Sequence, residues 1–248
     1  MDNTSLRNEG KIPTGLNYIR ELGVNHIQLM PVYDYASVNE DGTGAQFNWG
    51  YDPLNYNIPD GSYSTDAANG EVRIKEFKEM IQALHKKGFR VIMDVVYNHT
   101  FDLNTSLQKT MPYYHYRIDG KGDLSDGSAC GNDIASEMPM TEKYIIDSVL
   151  YWAEEYHIDG FHLTGVDYCE DIVKDPYLLD SKFIFTNKIY DNKDKNIISM
   201  NYEYMNNIRK YLKGDEGMVP FVSGVLSDKS GYLNFIADIN GFSFADIY

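Results

Sequence analysis

Short apolar runs alternate along this chain with amphipathic segments of helical period. The run Phe89–Val96 is apolar on both faces apart from Asp94, a pattern typical of a strand buried on both sides in a parallel sheet. Before it, Glu71–Lys87 places its apolar residues on one helical face, and Gly88 follows as a residue that favours a helix end. The two segments together predict one helix–strand unit of an α/β fold.

The same alternation continues on both sides of this unit. Further helices are predicted at Thr14–Leu22, Pro139–His157 and Glu203–Lys213, with a weaker one at Glu170–Lys174. Further strands are predicted at Val24–Val32, Ile158–Gly165, Lys182–Phe185, Ile197–Met200 and Leu233–Ala237. The long segments Tyr33–Gly70 and Phe101–Met138 are predicted as loops, and loops of that length are usually functional.

Repeated strand–helix alternation indicates a parallel sheet covered by helices. At 248 residues, the chain has the length of one barrel of eight strands and eight helices, and we expect residues 1–248 to form a single domain of this type. A doubly wound open sheet is the rival fold. The sequence contains neither GxGxxG after a strand nor GxxxxGK[ST], so it gives no support to a nucleotide site.

The composition argues against several classes of partner. A formal net charge of −15 disfavours nucleic acids and anionic membrane surfaces, and it suits a neutral substrate. No apolar run approaches the roughly 18 residues of a membrane helix. The polar start MDNTSLRNEGKIP lacks a signal-peptide pattern, so a cytoplasmic location is expected. The 21 tyrosines suit stacking on sugar rings, and the two cysteines match no metal or disulfide pattern.

Polar residues interrupt and follow the strand at Phe89–Val96. Asp94 lies within it, and Asn98 and His99 come directly after it. A carboxylate in a buried strand costs several kcal/mol unless it is paired or hydrogen-bonded. The carboxyl ends of parallel strands are also where α/β proteins hold their ligands. These residues therefore predict a ligand site, although a core strand with a polar end is an equally good interpretation of this stretch alone.

Several long motifs, in order along the chain, resemble the debranching branch of the α-amylase superfamily: type I pullulanases, isoamylases and glycogen debranching enzymes. The motifs are FNWGYDPLNYNIPDGSYS, DVVYNHT, SACGNDIASEMPM, NYEYMNNIRKYLKGDEG and NFIADINGFSF. The resemblance implies a (β/α)8 barrel that cleaves α-1,6 branch points in glycogen, starch or pullulan. Its chemistry requires two carboxyl groups about 5 Å apart, one as nucleophile and one as proton donor. A third acid on the seventh strand helps to hold the substrate.

The resemblance also implies which residues contact the sugar. Tyr51 stands where a pullulanase tyrosine stacks on the sugar at the cleavage subsite, and Trp49 is a second candidate for stacking. Asp94, Asn98 and His99 occupy the usual positions of the first signature and are expected to bind sugar hydroxyls. The partner implied is an α-glucan oligosaccharide. For the aromatic residues, loop packing is the alternative.

The sequence departs from the family at each catalytic position. The second signature, GFRFD, is GFHLT here, so His162 replaces the arginine and Thr164 the nucleophilic aspartate. Alignment of KFIFTN with the third signature puts Thr186 at the position of the acid, with Asn187 as the alternative. The fourth signature, HDGF, is INGF here, so Asn240 replaces its aspartate. A threonine is a poor nucleophile without a base and no general acid near neutral pH, so we predict that hydrolysis by the family mechanism is lost.

His162 is expected to line the site beside Thr164, because residues two apart on a strand share a face. Two other hypotheses remain. Relocated acids could sustain hydrolysis, and the candidates are Asp167, Glu170 and Glu203, each of which also fits a solvated helix start. Alternatively, the chain is a structural remnant without a ligand. Calcium is compatible with the superfamily, but no loop shows a recognisable ligand spacing, so neither a metal nor a cofactor is predicted.

The extent of the match predicts an incomplete barrel. The chain starts at the first barrel helix and ends just past the seventh strand, so the first and eighth strands are expected to be absent. We therefore expect a fragment of a longer protein, or a domain completed by strands from another chain, because an unclosed barrel leaves two strand edges free to pair.

Overall fold

The central element is a parallel sheet, seen in a computed structural model that describes residues 12–44, 46–164, 170–178, 180–185, 196–225 and 231–237. Its six strands lie side by side in chain order, and every neighbouring pair is parallel. They are β1 (His26–Leu29), β4 (Arg90–Val96), β5 (Gly160–Thr164), β6 (Lys182–Phe185), β7 (Ile197–Met200) and β8 (Tyr232–Leu233). A separate antiparallel pair consists of β2 (Tyr33–Tyr35) and β3 (Pro53–Pro59).

Helices connect most of these strands. They are α1 (Gly15–Glu21), α2 (Gly70–Lys86), α3 (Ser106–Thr110), α4 (Pro139–Tyr156), α5 (Tyr202–Lys213) and α6 (Val219–Val225). Short 3₁₀ helices span Gly61–Tyr63, Glu170–Lys174 and Pro176–Leu178. Neighbouring parallel strands joined through helices are the arrangement of a (β/α)8 barrel. Within the described ranges β1 and β8 each pair on one side only, so the predicted fold, an incomplete barrel, is confirmed.

The core lies between the sheet and the helices α2 and α4. Trp152 of α4 is fully buried, and its indole Nε1 donates a hydrogen bond of 2.9 Å to the backbone oxygen of Tyr56 in β3. Phe77 of α2 meets the Trp152 ring edge-to-face at a centroid distance of 5.9 Å. One side chain therefore joins α4 to both α2 and the β2–β3 pair.

Gly160 brings β5 and β6 unusually close together. It is the register partner of Lys182, and a Cβ atom at position 160 would lie 2.5 Å from the Lys182 backbone oxygen. Any side chain there would collide with the neighbouring backbone. The glycine of GFHLT is therefore required for steric reasons.

Most predicted elements are confirmed with small shifts at their ends, but the prediction of a loop over Tyr33–Gly70 was wrong. That segment contains β2 and β3, whose pairing buries Tyr33 and Tyr56 edge-to-face at 5.6 Å. The prolines at both ends of β3 concealed it, because proline is unfavourable in a strand except at its ends and edges.

Other differences are smaller. The weak helix predicted at Glu170–Lys174 is a 3₁₀ helix, and the last predicted strand is shorter and lies earlier, at Tyr232–Leu233. The helices α3 and α6 were not predicted. Among the described residues, no helix combines the length and apolar character needed to cross a membrane.

Candidate functional site

Asp94 and His162 face each other at the carboxyl ends of β4 and β5. They are register partners on adjacent strands, and both are buried. The imidazole Nδ1 of His162 lies 3.3 Å from Asp94 Oδ2 and 3.0 Å from the amide Nε2 of Gln28 in β1. That nitrogen accepts from the amide when it carries no proton and donates to the carboxylate when it does. Three neighbouring strands thus supply one polar cluster.

Tyr51 joins this cluster from the segment between β2 and β3. Its hydroxyl donates to Asp94 Oδ2 at 2.6 Å. Asp94 is only 2% exposed, so this bond and the nearby imidazole offset much of the cost of burying a carboxylate. Asp94 and Tyr51, both predicted as site residues, are therefore in direct contact.

The segment that carries Tyr51 is fixed by its own backbone. Gly50 has a φ of +87°, and a Cβ atom there would lie 2.4 Å from the backbone oxygen of Pro31. The side chain of Asn48 accepts from the Gly50 N–H at 2.8 Å and donates to the Ala36 carbonyl at 3.2 Å and to Asp52 Oδ2 at 3.1 Å. Trp49 and Tyr51 therefore project from an anchored turn.

Thr164 is the next inward residue of β5 after His162. Its Oγ1 lies 3.5 Å from Asp94 Oδ1, at the limit of a hydrogen bond. The side chain is partly buried at the end of the strand. The group that reaches the cluster at this position is therefore a hydroxyl and not a second carboxylate.

His99 and Asn98 form a second polar group just beyond β4. His99 Nδ1 and Asn98 Oδ1 are 2.7 Å apart, and the backbone oxygen of His99 accepts from the Tyr56 hydroxyl. Burial lowers the pKa of His99 below its ordinary value, against the opposing effects of a hydrogen bond to the Tyr51 backbone and the nearby acids. The ring is therefore neutral at pH 7, and one hydrogen bond connects it to the segment that carries Tyr51.

The motif SACGND is hydrogen-bonded to the segment that follows β4. Asn132 accepts from the Thr100 N–H at 3.0 Å and donates to the Thr100 carbonyl at 2.9 Å. The Ile134 N–H donates to the Asn98 backbone oxygen at 2.8 Å. The long segment between β4 and α4 therefore positions the YNHT turn, a role that sequence reasoning did not assign to Asn132.

Asp133 in the same motif accepts several hydrogen bonds from residues of its own loop. Its carboxylate accepts from the Ser125 hydroxyl, from the Gly127 N–H at 2.7 Å and from the Ser128 N–H at 2.9 Å. Burial alone would raise the pKa of Asp133, but these hydrogen bonds outweigh it and lower the pKa from 3.8 to about 2. The carboxylate therefore stabilises the folded state above pH 4, and this stabilisation is lost as the pH falls towards 2.

Replacing Asp133 by asparagine should lower the free energy of unfolding by roughly 2 kcal/mol at pH 7, since a charged acceptor of three donors is removed. Urea unfolding of both proteins between pH 7 and pH 2 measures the difference. We expect this difference to shrink below about pH 4, where Asp133 becomes protonated in the unfolded state, and to be lost near pH 2, where it becomes protonated in the folded state. A difference that stayed constant down to pH 2 would contradict the assigned role of the carboxylate.

Three carboxylates form a separate group near β2 and β3. Asp34, Glu40 and Asp60 have oxygens within 4.8 Å of one another. Arg73 of α2 already supplies positive charge there, because its Nη1 and Nη2 each lie 2.7 Å from the Glu40 carboxylate. The pKa of Asp34 is raised, first by burial and then by Glu40 and Asp60. The group is therefore an acidic cluster in which Arg73 pairs with Glu40.

Comparison with known proteins agrees with the geometry. The family model of the α-amylase catalytic domain matches residues 10–122. Pullulanase from Bacillus subtilis strain 168 is 48% identical over 156 residues, which cover 62% of this chain and 22% of that protein. Chloroplastic isoamylase 3 from rice is 30% identical over 285 residues, covering 96% of this chain and 36% of the relative.

Solved structures give the same result. Pullulanase from Anoxybacillus sp. LM18-11 complexed with maltotriose superimposes with a TM-score of 0.85 at 31% identity, covering 94% of this chain and 39% of that one. In sequence and fold, this chain is similar to the debranching branch of the α-amylase superfamily. A pullulanase from Paenibacillus barengoltzii, complexed with maltohexaose and α-cyclodextrin, gives a TM-score of 0.80 at 38% identity and covers 88% of this chain and 39% of that one. The chain therefore spans well under half of the debranching proteins that it matches.

Most of the predicted site residues lie together at the carboxyl ends of β4 and β5. Asp94, Tyr51 and His162 are brought together there, with Thr164 at the edge of hydrogen-bonding distance. Asn98 and His99 lie directly after β4, and Trp49 stands 47% exposed on the Tyr51 segment. Sequence reasoning missed Gln28 and Asn48, which contact the predicted residues from β1 and from the Tyr51 segment.

The remaining candidates are spread more widely. Thr186, Asn187, Asn240 and Asp167 lie outside the described residues, as does the side chain of Glu170. Glu203 is exposed in the first turn of α5, where an acid stabilises a helix N-terminus. Of the proposed relocated acids, the one whose side chain is described therefore has the position of a helix-start residue.

Proposed function

We propose that this chain is an α-glucan-binding domain of the pullulanase type in which hydrolysis by the family mechanism has been lost. The observation that carries the proposal is the Thr164 hydroxyl, which stands 3.5 Å from Asp94 at the signature position of the nucleophilic aspartate. The polar groups around Asp94 are present, while the residue at the position of the nucleophile carries no carboxylate.

The binding half of the proposal is supported by the chemistry of the cluster. Asp94 offers carboxylate oxygens to sugar hydroxyls, and Tyr51 offers an aromatic ring beside them. Asn98 and His99 add neutral donors and acceptors. Pullulanases of the same fold have been solved with maltotriose and with maltohexaose, and we extend that ligand class to this chain.

The loss of hydrolysis is supported by the mechanism itself. Retaining glycosidases need a carboxylate nucleophile and a carboxylic acid, and a threonine hydroxyl substitutes for neither near neutral pH. The exchange of arginine for His162 is consistent with this loss. A buried arginine deprived of its aspartate would cost about 3–5 kcal/mol, whereas an imidazole has a neutral form that still hydrogen-bonds to its neighbours.

Tryptophan fluorescence provides a direct test of binding. The chain has two tryptophans, of which Trp49 is 47% exposed and Trp152 is fully buried. Maltohexaose should therefore protect Trp49 from acrylamide quenching, and it should do so equally in the presence of EDTA because no metal is part of the proposal. In a Trp49→Phe variant the protection should disappear while calorimetry still detects binding. Unchanged quenching and no calorimetric heat at millimolar maltohexaose would contradict the proposed binding and favour a structural remnant.

The same preparation tests the loss of chemistry. Incubation with pullulan or glycogen should release no reducing ends, with an active pullulanase assayed in parallel as the positive control. Release that grows with protein concentration and survives repurification would show that relocated acids restore hydrolysis. Binding and hydrolysis are thus judged separately on one sample.

A further inference from the structure

The imidazole of His162 lies between two groups that make opposite demands on the same nitrogen. Its Nδ1 is 3.0 Å from the amide Nε2 of Gln28 in β1 and 3.3 Å from Oδ2 of Asp94 in β4. The amide nitrogen needs an acceptor, which Nδ1 provides only without a proton, whereas the carboxylate needs a donor, which Nδ1 provides only with one. One nitrogen cannot satisfy both neighbours in a single protonation state.

The imidazole has few charged groups around it. Its neighbours on the adjoining strands are Asp94 on β4, the neutral Gln28 on β1 and the apolar Ile184 on β6. The segment between β2 and β3 contributes the Tyr51 hydroxyl, which is bonded to the same Asp94 oxygen at 2.6 Å. Among the described residues, the groups bonded to Asp94 thus include no lysine or arginine, and His162 is the one that can acquire a positive charge.

Burial makes the protonation state of His162 important for Asp94. The two residues are 8% and 2% exposed, so water solvates neither charge fully. A charge-assisted hydrogen bond is about twice as strong as a neutral one. A proton on Nδ1 therefore makes the contact with Asp94 Oδ2 a strong bond and leaves the Gln28 amide without its acceptor. Histidine is the side chain whose ordinary change of charge falls between pH 5 and pH 8.

We propose that His162 makes glucan binding at Asp94 dependent on pH, because its protonated ring occupies the carboxylate oxygen that a sugar hydroxyl otherwise uses. The inference rests on the proposed glucan binding and adds its regulation. With a neutral imidazole, Asp94 Oδ2 accepts from the Tyr51 hydroxyl and has capacity left for a ligand. With a protonated imidazole, the ligand has to compete with a charge-assisted bond. An arginine stays charged throughout this pH range, so the dependence is a property of the histidine.

The test is calorimetry of the 248-residue chain with maltohexaose near pH 8 and near pH 5.5. Affinity should fall about 10-fold at the lower pH, the size of one hydrogen bond to a charged group. By linkage, binding near pH 6 should release protons, which titrations in buffers of different ionisation enthalpy measure. The variant His162→Gln keeps a polar side chain that does not titrate, so it should lose both the pH dependence and the proton release.

The matched control is His85→Gln. His85 also contacts an aspartate, with its Nε2 2.7 Å from Asp159 Oδ2, but Asp159 precedes β5 and lies at the opposite end of the sheet from the candidate site. This variant should retain both the pH dependence and the proton release. Circular dichroism at the two pH values checks that each protein is folded.

A second measurement requires no ligand. Nitrogen-15 chemical shifts report the protonation of imidazole rings, and the His162 signal is identified by its absence from His162→Gln. A ring that keeps one protonation state between pH 8 and pH 5.5 would overturn the inference. Protonation without a change in maltohexaose affinity, or a pH dependence that His162→Gln retains, would also overturn it while the proposed glucan binding stands. Absence of binding at both pH values would remove the proposed function and this inference together, and calorimetry at pH 8 distinguishes that result from the others.

Discussion

Replacing Trp152 by alanine is expected to lower the free energy of unfolding by about 3–5 kcal/mol, the largest stability effect of a single substitution that we predict. The side chain is fully buried, packs on Phe77 and donates to the Tyr56 carbonyl. Its removal leaves a cavity and an unpaired backbone acceptor in the core. Chemical denaturation monitored by circular dichroism measures the change.

The second tryptophan is the matched control for this experiment. Trp49→Ala removes the same atoms from a site that is 47% exposed, and it should change stability by no more than about 0.5 kcal/mol. A Trp152→Ala protein that unfolds at nearly the native denaturant concentration would show that α4 is not packed as described. Comparable losses for both variants would point to the same conclusion.

Replacing Gly50 by alanine is expected to have the largest effect on ligand binding. The residue has a φ of +87°, and a Cβ atom would lie 2.4 Å from the Pro31 backbone oxygen. The left-handed conformation costs a non-glycine residue about 1–2 kcal/mol, and the collision adds about 1–3 kcal/mol unless the turn moves. Movement of the turn displaces Trp49 and Tyr51, so maltohexaose binding should fall by at least about 10-fold.

The variant Gly88→Ala separates the conformational cost of a positive φ from the cost of the collision with neighbouring backbone. Gly88 has a φ of +85°, but nothing lies within 4 Å of its missing Cβ. This variant should lose stability only by the conformational cost of about 1–2 kcal/mol and should bind maltohexaose as the native protein does. Equal stability and equal affinity for the two alanine variants would refute the tight approach of Gly50 to Pro31. Calorimetry and thermal unfolding on the same preparations provide both measurements.

The sequence predicted most strands of the parallel sheet, because a strand buried on both faces is apolar over a short continuous stretch of sequence. The apolar run of β4 and the helical stripe of α2 are each recognisable within a single window. The β2–β3 pair was missed because its stability comes from distant partners. Tyr33 and Tyr56 meet across 23 residues, and Trp152 bonds to Tyr56 across 96. No local pattern records contacts of that kind.

The residues of the candidate site were also predicted only in part. Asp94 was found because a carboxylate interrupts a buried strand, and Tyr51 and Thr164 because motifs surround them. Gln28 and Asn132 could not be found in this way. Each is a single polar residue whose role depends on a partner more than 30 residues away, His162 in one case and Thr100 in the other. Sequence reasoning therefore found the central residues of the candidate site but not the residues that hydrogen-bond to them from other elements.

The tight approach of β5 to β6 at Gly160 has a consequence for how such a domain changes over time. The glycine is required by the Lys182 backbone, whatever side chains stand two and four residues later. The steric requirement at Gly160 is therefore independent of the chemistry of the side chains at His162 and Thr164. His162 and Thr164 can therefore be exchanged for other residues without altering the contact that requires glycine at position 160.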